Sequence, residues 1–228
     1  SAGRAARIEV TIAIMTAATG YPEEVGEEYR QIFERLGAES AYPIHTQQRD
    51  DSEQEAKIRL VQQATGIFFT GGDQSRIVQF IKDTSLEAAI HERHDAGAVV
   101  GGTSAGAAMM PDQMIIGGAS VSNPSIGAVD MGPGMGFMPG IVVDQHFAQR
   151  GRIGRLLAAL VLQPAVLGLG IDEDTGILVQ GDEFEVIGRG CVTVVDETTS
   201  THNNLEGLLK DEPIALCDVK LHILPRGY

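Results

Sequence analysis

Basic residues are scarce in this 228-residue chain: 17 Lys and Arg stand against 31 Asp and Glu, for a formal net charge of −14. That balance argues against nucleic acid or an anionic membrane as the main partner, because both are bound through clustered positive charge. A cationic substrate suits an acidic field better, although acidity also serves solubility alone. Cysteine is scarce too. Cys191 and Cys217 form neither a CxxC pair nor a histidine-interleaved pattern, which argues against a zinc motif or a disulfide framework and fits a reducing compartment. No stretch approaches the ~20 apolar residues of a membrane span, and the opening SAGRAARIEV has no signal-peptide core. These absences point to a cytoplasmic protein; Ser1 in place of an initiator Met leaves a secreted form open. With no internal repeat, biased tract or linker, one domain over residues 1–228 is expected.

What the chain does contain is alternation. Ile8–Met15 (IEVTIAIM) reads as a strand, and Val25, Tyr29, Ile32, Phe33 and Leu36 share one face of a helix predicted over Pro22–Leu36, stopped by Gly37. A strand at Ala41–His45 precedes a helix at Asp51–Gln63 with Asp51 or Ser52 as N-cap. The buried strand Gly66–Thr70, helices near Ser75–Lys82 and Ser85–His94, a strand at Ala98–Gly101 and a helix opening at Ser104 complete the first half. Apolar strands without polar alternation, separated by helices, predict a parallel sheet covered on both faces. The second half differs. Residues 117–140, rich in Gly, Met and Pro, read as a long ordered loop, a kind of segment that is usually functional or mobile. A strand at Ile141–Gln145 and a helix to about Leu162 follow, and then LGLGID, ILV, FEVIG, CVTVVDE and VKLHIL read as antiparallel additions. The expected class is α/β, a mostly parallel sheet flanked by helices with antiparallel strands in the C-terminal part.

The strongest chemical signal is GGTSAGAAMM at 101–110. Gly102 to Gly106 match G-x-S-x-G between a predicted strand and a predicted helix, the context in which a sharp turn exposes Ser104 as a nucleophile. The turn lacks the Lys, Asp and second serine of phosphate loops, the other use of a Gly-rich strand–helix turn. The amide of Ala105 at the helix start would face an oxyanion. TGGDQ at 70–74 is a second strand followed by glycines, where Gly71 and Gly72 either complete an oxyanion hole or form a plain tight turn.

A serine needs a base, usually a histidine oriented by a carboxylate. His91 and His94 are three apart in a polar helix, which is not the spacing of a zinc pair; His45 and His222 alternate with apolar residues on strands. His202 lies in a polar loop and competes. His146 follows the strand IVVDQ at its carboxyl end, where open α/β sheets place their sites. Asp172, Glu173 and Asp174 end the strand GLGI, and any of the three could hold the imidazole. No metal or organic cofactor is called for. The stretch DQHFAQRGRIGRL at 144–156 adds three arginines. Helical spacing puts Arg152 and Arg155 on one face and Arg150 elsewhere, while Gly151 and Gly154 leave room for an approaching chain. A helix with ordinary solvated arginines is the alternative.

TGGDQ, GTSAGAAMM, the Gly-Met loop, VVDQHF-x-x-R-x-R-x-x-RL and GLGIDEDTG, in this order across most of the chain, resemble the cyanophycinase family of serine-type hydrolases related to aspartyl dipeptidase. The resemblance implies a flavodoxin-like fold akin to class I glutamine amidotransferase domains, a homodimer, and a Ser-His-Glu triad at Ser104, His146 and Glu173. It also marks Gln74, Asp144, Gln145, Arg150, Arg152 and Arg155 as substrate-binding residues. The implied substrate is cyanophycin, a poly-aspartate whose side chains each carry an arginine, cut to β-Asp-Arg dipeptides. Arginine forks grip carboxylates while an acidic surface attracts guanidinium groups. The family's opening strand with its Gly-Gly turn is not seen ahead of IEVTIAIM. Two other readings stay open: a dipeptidase or peptidase acting on short Asp-containing peptides, and a non-catalytic binding domain of the same fold. An α/β-hydrolase esterase is disfavoured, because its acid precedes its histidine along the chain.

Overall fold

The structure is a computed structural model and describes residues 9–119, 123–163, 166–209 and 212–228. Ile8 of the first expected strand and residues 120–122 of the expected loop lie outside the described residues. Two compact units are present, divided between Ala107 and Ala108.

In the first unit β1 (Thr11–Met15), α1 (Pro22–Arg35), β2 (Ser40–Ile44), α2 (Glu55–Gln63), β3 (Gly66–Phe69), α3 (Gln74–Ile81), α4 (Ser85–Asp95) and β4 (Val99–Gly102) succeed one another. The strands lie in the order β2-β1-β3-β4 and every pairing is parallel. That order opens the doubly wound flavodoxin-like arrangement, whose switch point falls between β1 and β3. Alternate residues face opposite sides of the sheet: Ala13, Met15, Ile67 and Phe69 are fully buried, while Phe68 takes the rings of Tyr29 and Phe33 from α1 at 5.0 and 5.2 Å. Leu36, expected on that apolar face, caps the helix instead and is 78% exposed. The helix expected from Asp51 is split. The Asp51 carboxylate accepts from the amides of Gln47 and Gln48 and so closes a separate 3₁₀ turn at Arg49–Glu53 before α2 begins. A short polar side chain that satisfies nearby backbone in this way competes with continuous helix.

The one-turn helix α5 (Ala105–Ala108) marks the boundary. In the second unit β5 (Gln113–Gly117) pairs antiparallel with β6 (Asp130–Pro133) through a register shift at Ile115–Gly117, so the expected loop at 117–140 contains a strand and, at Ile126–Ala128, a 3₁₀ turn. Next come β7 (Ile141–Gln145), α6 (Ile153–Leu162), β8 (Leu167–Ile171), β9 (Thr175–Gln180), β10 (Glu183–Gly188), β11 (Cys191–Asp196), β12 (His202–Asn203), β13 (Leu216–Cys217) and β14 (Lys220–Pro225). A mixed sheet runs β14-β11-β8-β7. β7 and β8 are parallel with Gln145 opposite Ile171, so their carboxyl ends coincide. β11 and β14 join antiparallel, as expected of the C-terminal strands. The buried face of α6, with Leu156, Ala159 and Leu160, packs with Val142, Phe147 and Val195. Among the described residues no helix is long and apolar enough to cross a membrane.

Candidate active site

Ser104 stands just past β4 with φ of 50°, a left-handed conformation that costs a non-glycine residue roughly 1–2 kcal/mol. Surrounding bonds impose it: the Thr103 amide donates to the Phe69 carbonyl at 3.1 Å, and the amides of Gly106 and Ala107 donate to the carbonyls of Thr103 and Ser104. Gly106 is required by close approach, since a Cβ there would stand 2.3 Å from the Phe69 carbonyl oxygen. The result is the strained strand–turn–helix serine that the G-x-S-x-G pattern anticipates. The helix beyond it is shorter than expected. The carbonyls of Met109 and Met110 accept from Met135 and Phe137, and Pro111 follows, which disfavours helical backbone at Met110. One turn has little macrodipole, so any anion stabilisation here comes from individual amides.

A second glycine turn lies close by. A Cβ on Gly71 would lie 3.4 Å from the Ser104 Cβ, so the turn after β3 runs beside the serine. Gly72 has φ of 138°, and a Cβ there would meet the Ala18 carbonyl oxygen at 2.2 Å. The Asp73 amide anchors the turn by donating to Ala18 at 3.0 Å, and the Asp73 carboxylate caps α3 through the Ser75 amide. Among the described residues the amides of Gly71, Gly72 and Ala105 donate to no protein acceptor. Gln74 opens α3 directly after this turn and is half-buried.

His146 ends β7 with φ of 51°. Its Nδ1 lies 2.8 Å from Oε1 of Glu173, which follows the neighbouring parallel strand β8. An ionised carboxylate only accepts, so against ionised Glu173 it is Nδ1 that donates in this bond. The three competing acids separate by what they touch. Asp172 accepts from the amides of Ala148 and Cys191, both at 3.1 Å, and Asp174 is a left-handed turn residue with φ of 53°. Only Glu173 reaches the imidazole. His202, the other contender, sits exposed on β12. Among the described residues no group of three His, Cys, Asp or Glu is placed to hold a metal.

The arginine series turns out otherwise than expected. No helix runs directly from β7: Gly151, at φ of 59°, belongs to a turn, and Arg152 is the N-cap of α6. Arg152 and Arg155 do share a direction, but it is inward. They are 7% and 6% exposed and close on Asp144, itself 1% exposed. Arg155 Nε donates to Asp144 Oδ2 at 2.8 Å and its Nη2 to Oδ1, and Arg152 Nη1 reaches the same oxygen at 3.2 Å. Burial pushes the Arg152 guanidinium below its usual pKa. Asp144, Arg152 and Arg155 thus form a buried ion cluster; Arg150 alone of the three arginines is exposed. Gln145 is half-buried, and its carbonyl accepts from Arg152 Nη1.

The model of Peptidase family S51 matches residues 10–187. The chain belongs to peptidase family S51. It is accordingly a hydrolase of the serine peptidase type. Curated relatives include a protein named cyanophycinase from Geminocystis herdmanii, 42% identical over 96% of this chain and 81% of the relative. Others of that name come from Nostoc sp., 39% identical over 99% of this chain and 76% of the relative, and from Synechococcus elongatus, 36% over 98% and 70%. Among solved structures, a peptidase from an acI-B1 Actinobacterium has a TM-score of 0.63 at 24% identity, covering 92% of this chain and 82% of its own. A putative peptidase E protein from Listeria monocytogenes has a TM-score of 0.54 at 19% identity, covering 78% and 86%. These two show the fold. Sequence reasoning did not single out Gln149, whose Oε1 accepts from the Glu173 amide at 3.1 Å. Its only sequence signal is its position three after His146, which by itself carries no chemistry.

Proposed function

We propose that this S51 peptidase is an exopeptidase that hydrolyses cyanophycin to β-Asp-Arg dipeptides. The observation that carries the reading is a strained serine and a carboxylate-held imidazole in a chain whose curated relatives, at 36–42% identity, are named cyanophycinases. His146 Nε2 takes the Ser104 hydroxyl proton as Oγ attacks the carbonyl carbon of an aspartyl–aspartyl backbone amide. Glu173 holds the resulting imidazolium. The amides of Ala105, Gly71 and Gly72 stabilise the oxyanion, each donor contributing on the order of 3 kcal/mol. The imidazolium then protonates the leaving nitrogen, the C–N bond breaks and an acyl-enzyme remains. Water, deprotonated by His146, attacks the ester and frees β-Asp-Arg with the serine restored. Gln74, Gln145 and Arg150 line the substrate path, and no cofactor enters. Both compact units serve one hydrolase domain over residues 1–228, in a cytoplasmic homodimer.

Purified cyanophycin and mass spectrometry of the products test this. Release of β-Asp-Arg is expected, with Ser104→Ala lowering the rate by at least about a thousandfold and a serine-directed phosphonate labelling Ser104. Preference for a plain α-linked Asp dipeptide would replace this reading with an aspartyl dipeptidase. An unlabelled Ser104 would overturn the nucleophile.

A further inference from the structure

The buried charges next to His146 need a reason. Asp144, Arg152 and Arg155 are each less than a tenth exposed, and besides the bonds among them Arg155 Nη1 reaches the Gly118 carbonyl at 3.5 Å. Desolvating three charges is a poor route to stability, since well-packed apolar side chains of similar volume commonly serve as well or better. The pairing is also incomplete: Arg152 Nε and Gln145 Oε1 are buried without a hydrogen-bond partner among the described residues. Native proteins rarely keep such atoms without use. Substrate gripping is a poor reason as well, because both forks are already turned toward a carboxylate of the chain itself.

What the cluster does hold is the end of β7. Arg152 Nη1 donates to the carbonyl of Gln145, the group that forms the peptide bond with His146. That peptide is where the chain turns into the left-handed conformation of His146, φ of 51°, which is uncommon for a residue other than glycine even though histidine takes it more readily than most. The far side of the turn is held independently. The Phe147 amide donates to the Ile171 carbonyl at 3.1 Å, and the Phe147 ring occupies the space over Gly170, where a Cβ would stand 2.4 Å from it. His146 is thus bracketed between a packed ring and a guanidinium-held carbonyl, with Asp144 fixing the guanidinium and Arg155 fixing Asp144.

We propose that Asp144, Arg152 and Arg155 are positioning residues, a buried ion cluster that sets the backbone turn of His146 and so aims its imidazole at Glu173. The proposal rests on His146 being the base of the reaction. Arg155→Lys keeps the charge but loses the two-pronged hold on Asp144, and Arg152→Lys likewise weakens the hold on the Gln145 carbonyl. For either variant kcat, counted per site titrated with a serine-directed probe, should fall about 10- to 100-fold, the scale of small misplacements of catalytic groups, with KM within about twofold of the parent. The low-field Nδ1 proton resonance of His146, expected in the parent because of the 2.8 Å bond to Glu173, should broaden or vanish. A raised KM with unchanged kcat would mean the arginines grip substrate after all, and would overturn the proposal. Loss of folded protein with unchanged kcat per titrated site would overturn it in favour of a purely structural role. If Arg155→Lys does not fold, Arg152→Lys decides by the same readouts. His146→Ala separates the two levels: retained turnover there removes the base assignment, whereas the proton resonance in the arginine variants still reports whether the cluster sets the turn.

Discussion

At the scale of single residues, two of the proposed catalytic side chains stand on backbone in an uncommon conformation. Ser104 and His146 both occupy the left-handed region, at φ of 50° and 51°, Ser104 two residues past β4 and His146 directly after β7. Such strain persists only where the surroundings over-determine it. Gly106 is part of that surrounding. Adding one methyl at Gly106 would drive it against the Phe69 carbonyl, so Gly106→Ala should destabilise by about 2–3 kcal/mol, in the range of overpacked cores. Gly20→Ala, where nothing lies within 4 Å, should leave the melting temperature essentially unchanged. Equal melting temperatures for the two variants would contradict this account of the elbow. Glu197 offers a second test. Burial raises its carboxyl pKa, so its contribution to stability is present while it is protonated and lost as pH rises through the folded value. Glu197→Gln should therefore melt higher than the parent at pH 7 and no differently at pH 3.

At the scale of elements, helix ends are set by local polar groups. Thr84 caps α4 by accepting from the Glu87 amide at 3.3 Å, and the Glu87 carboxylate accepts in return from the Asp83 amide. Two donors that the helix cannot satisfy are satisfied together. Thr84→Ala should cost about 1 kcal/mol, or roughly 2–4 °C in melting temperature for a chain of this size, with kcat untouched. The same physics shortened two expected helices. Asp51 turns back on the preceding amides, and the carbonyls of Met109 and Met110 are taken by the segment from Met135 to Met138. The first interruption was open to reading from Asp51 and Ser52 as capping residues. The second was not, because its partners lie some 25 residues further on.

For the molecule as a whole, an acidic chain relies on keeping selected carboxylates ionised. The Arg30 fork holds Glu27 down to about 2, backbone amides hold Asp51 low, and the hydroxyls of Ser85 and Thr198 do the same for Glu53 and Asp196. Each is depressed on folding, so the unfolded chain binds more protons as pH falls. Their stabilisation is present above the unfolded values, near 4, and is lost below them. These groups are exposed or partly exposed and screened by solvent, so melting temperature should hold between pH 7 and 5 and decline modestly below about pH 4. A flat profile down to pH 3 would show that these bonds do not persist in solution.

The local sequence determined where the strands end and which side chains stand there. Apolar runs broken by glycine placed Ser104, His146 and the turn at Gly71–Gly72 at strand termini, because strand, turn and helix preferences act over a few neighbouring residues. Tertiary structure decided which groups meet. That Glu173, and not Asp172 or Asp174, holds His146 follows from the register of β7 on β8. That two of three arginines face inward follows from Asp144 being buried within reach of the start of α6. Pairing between distant segments and the desolvation of charge depend on the folded surroundings, and no local pattern of residues encodes them.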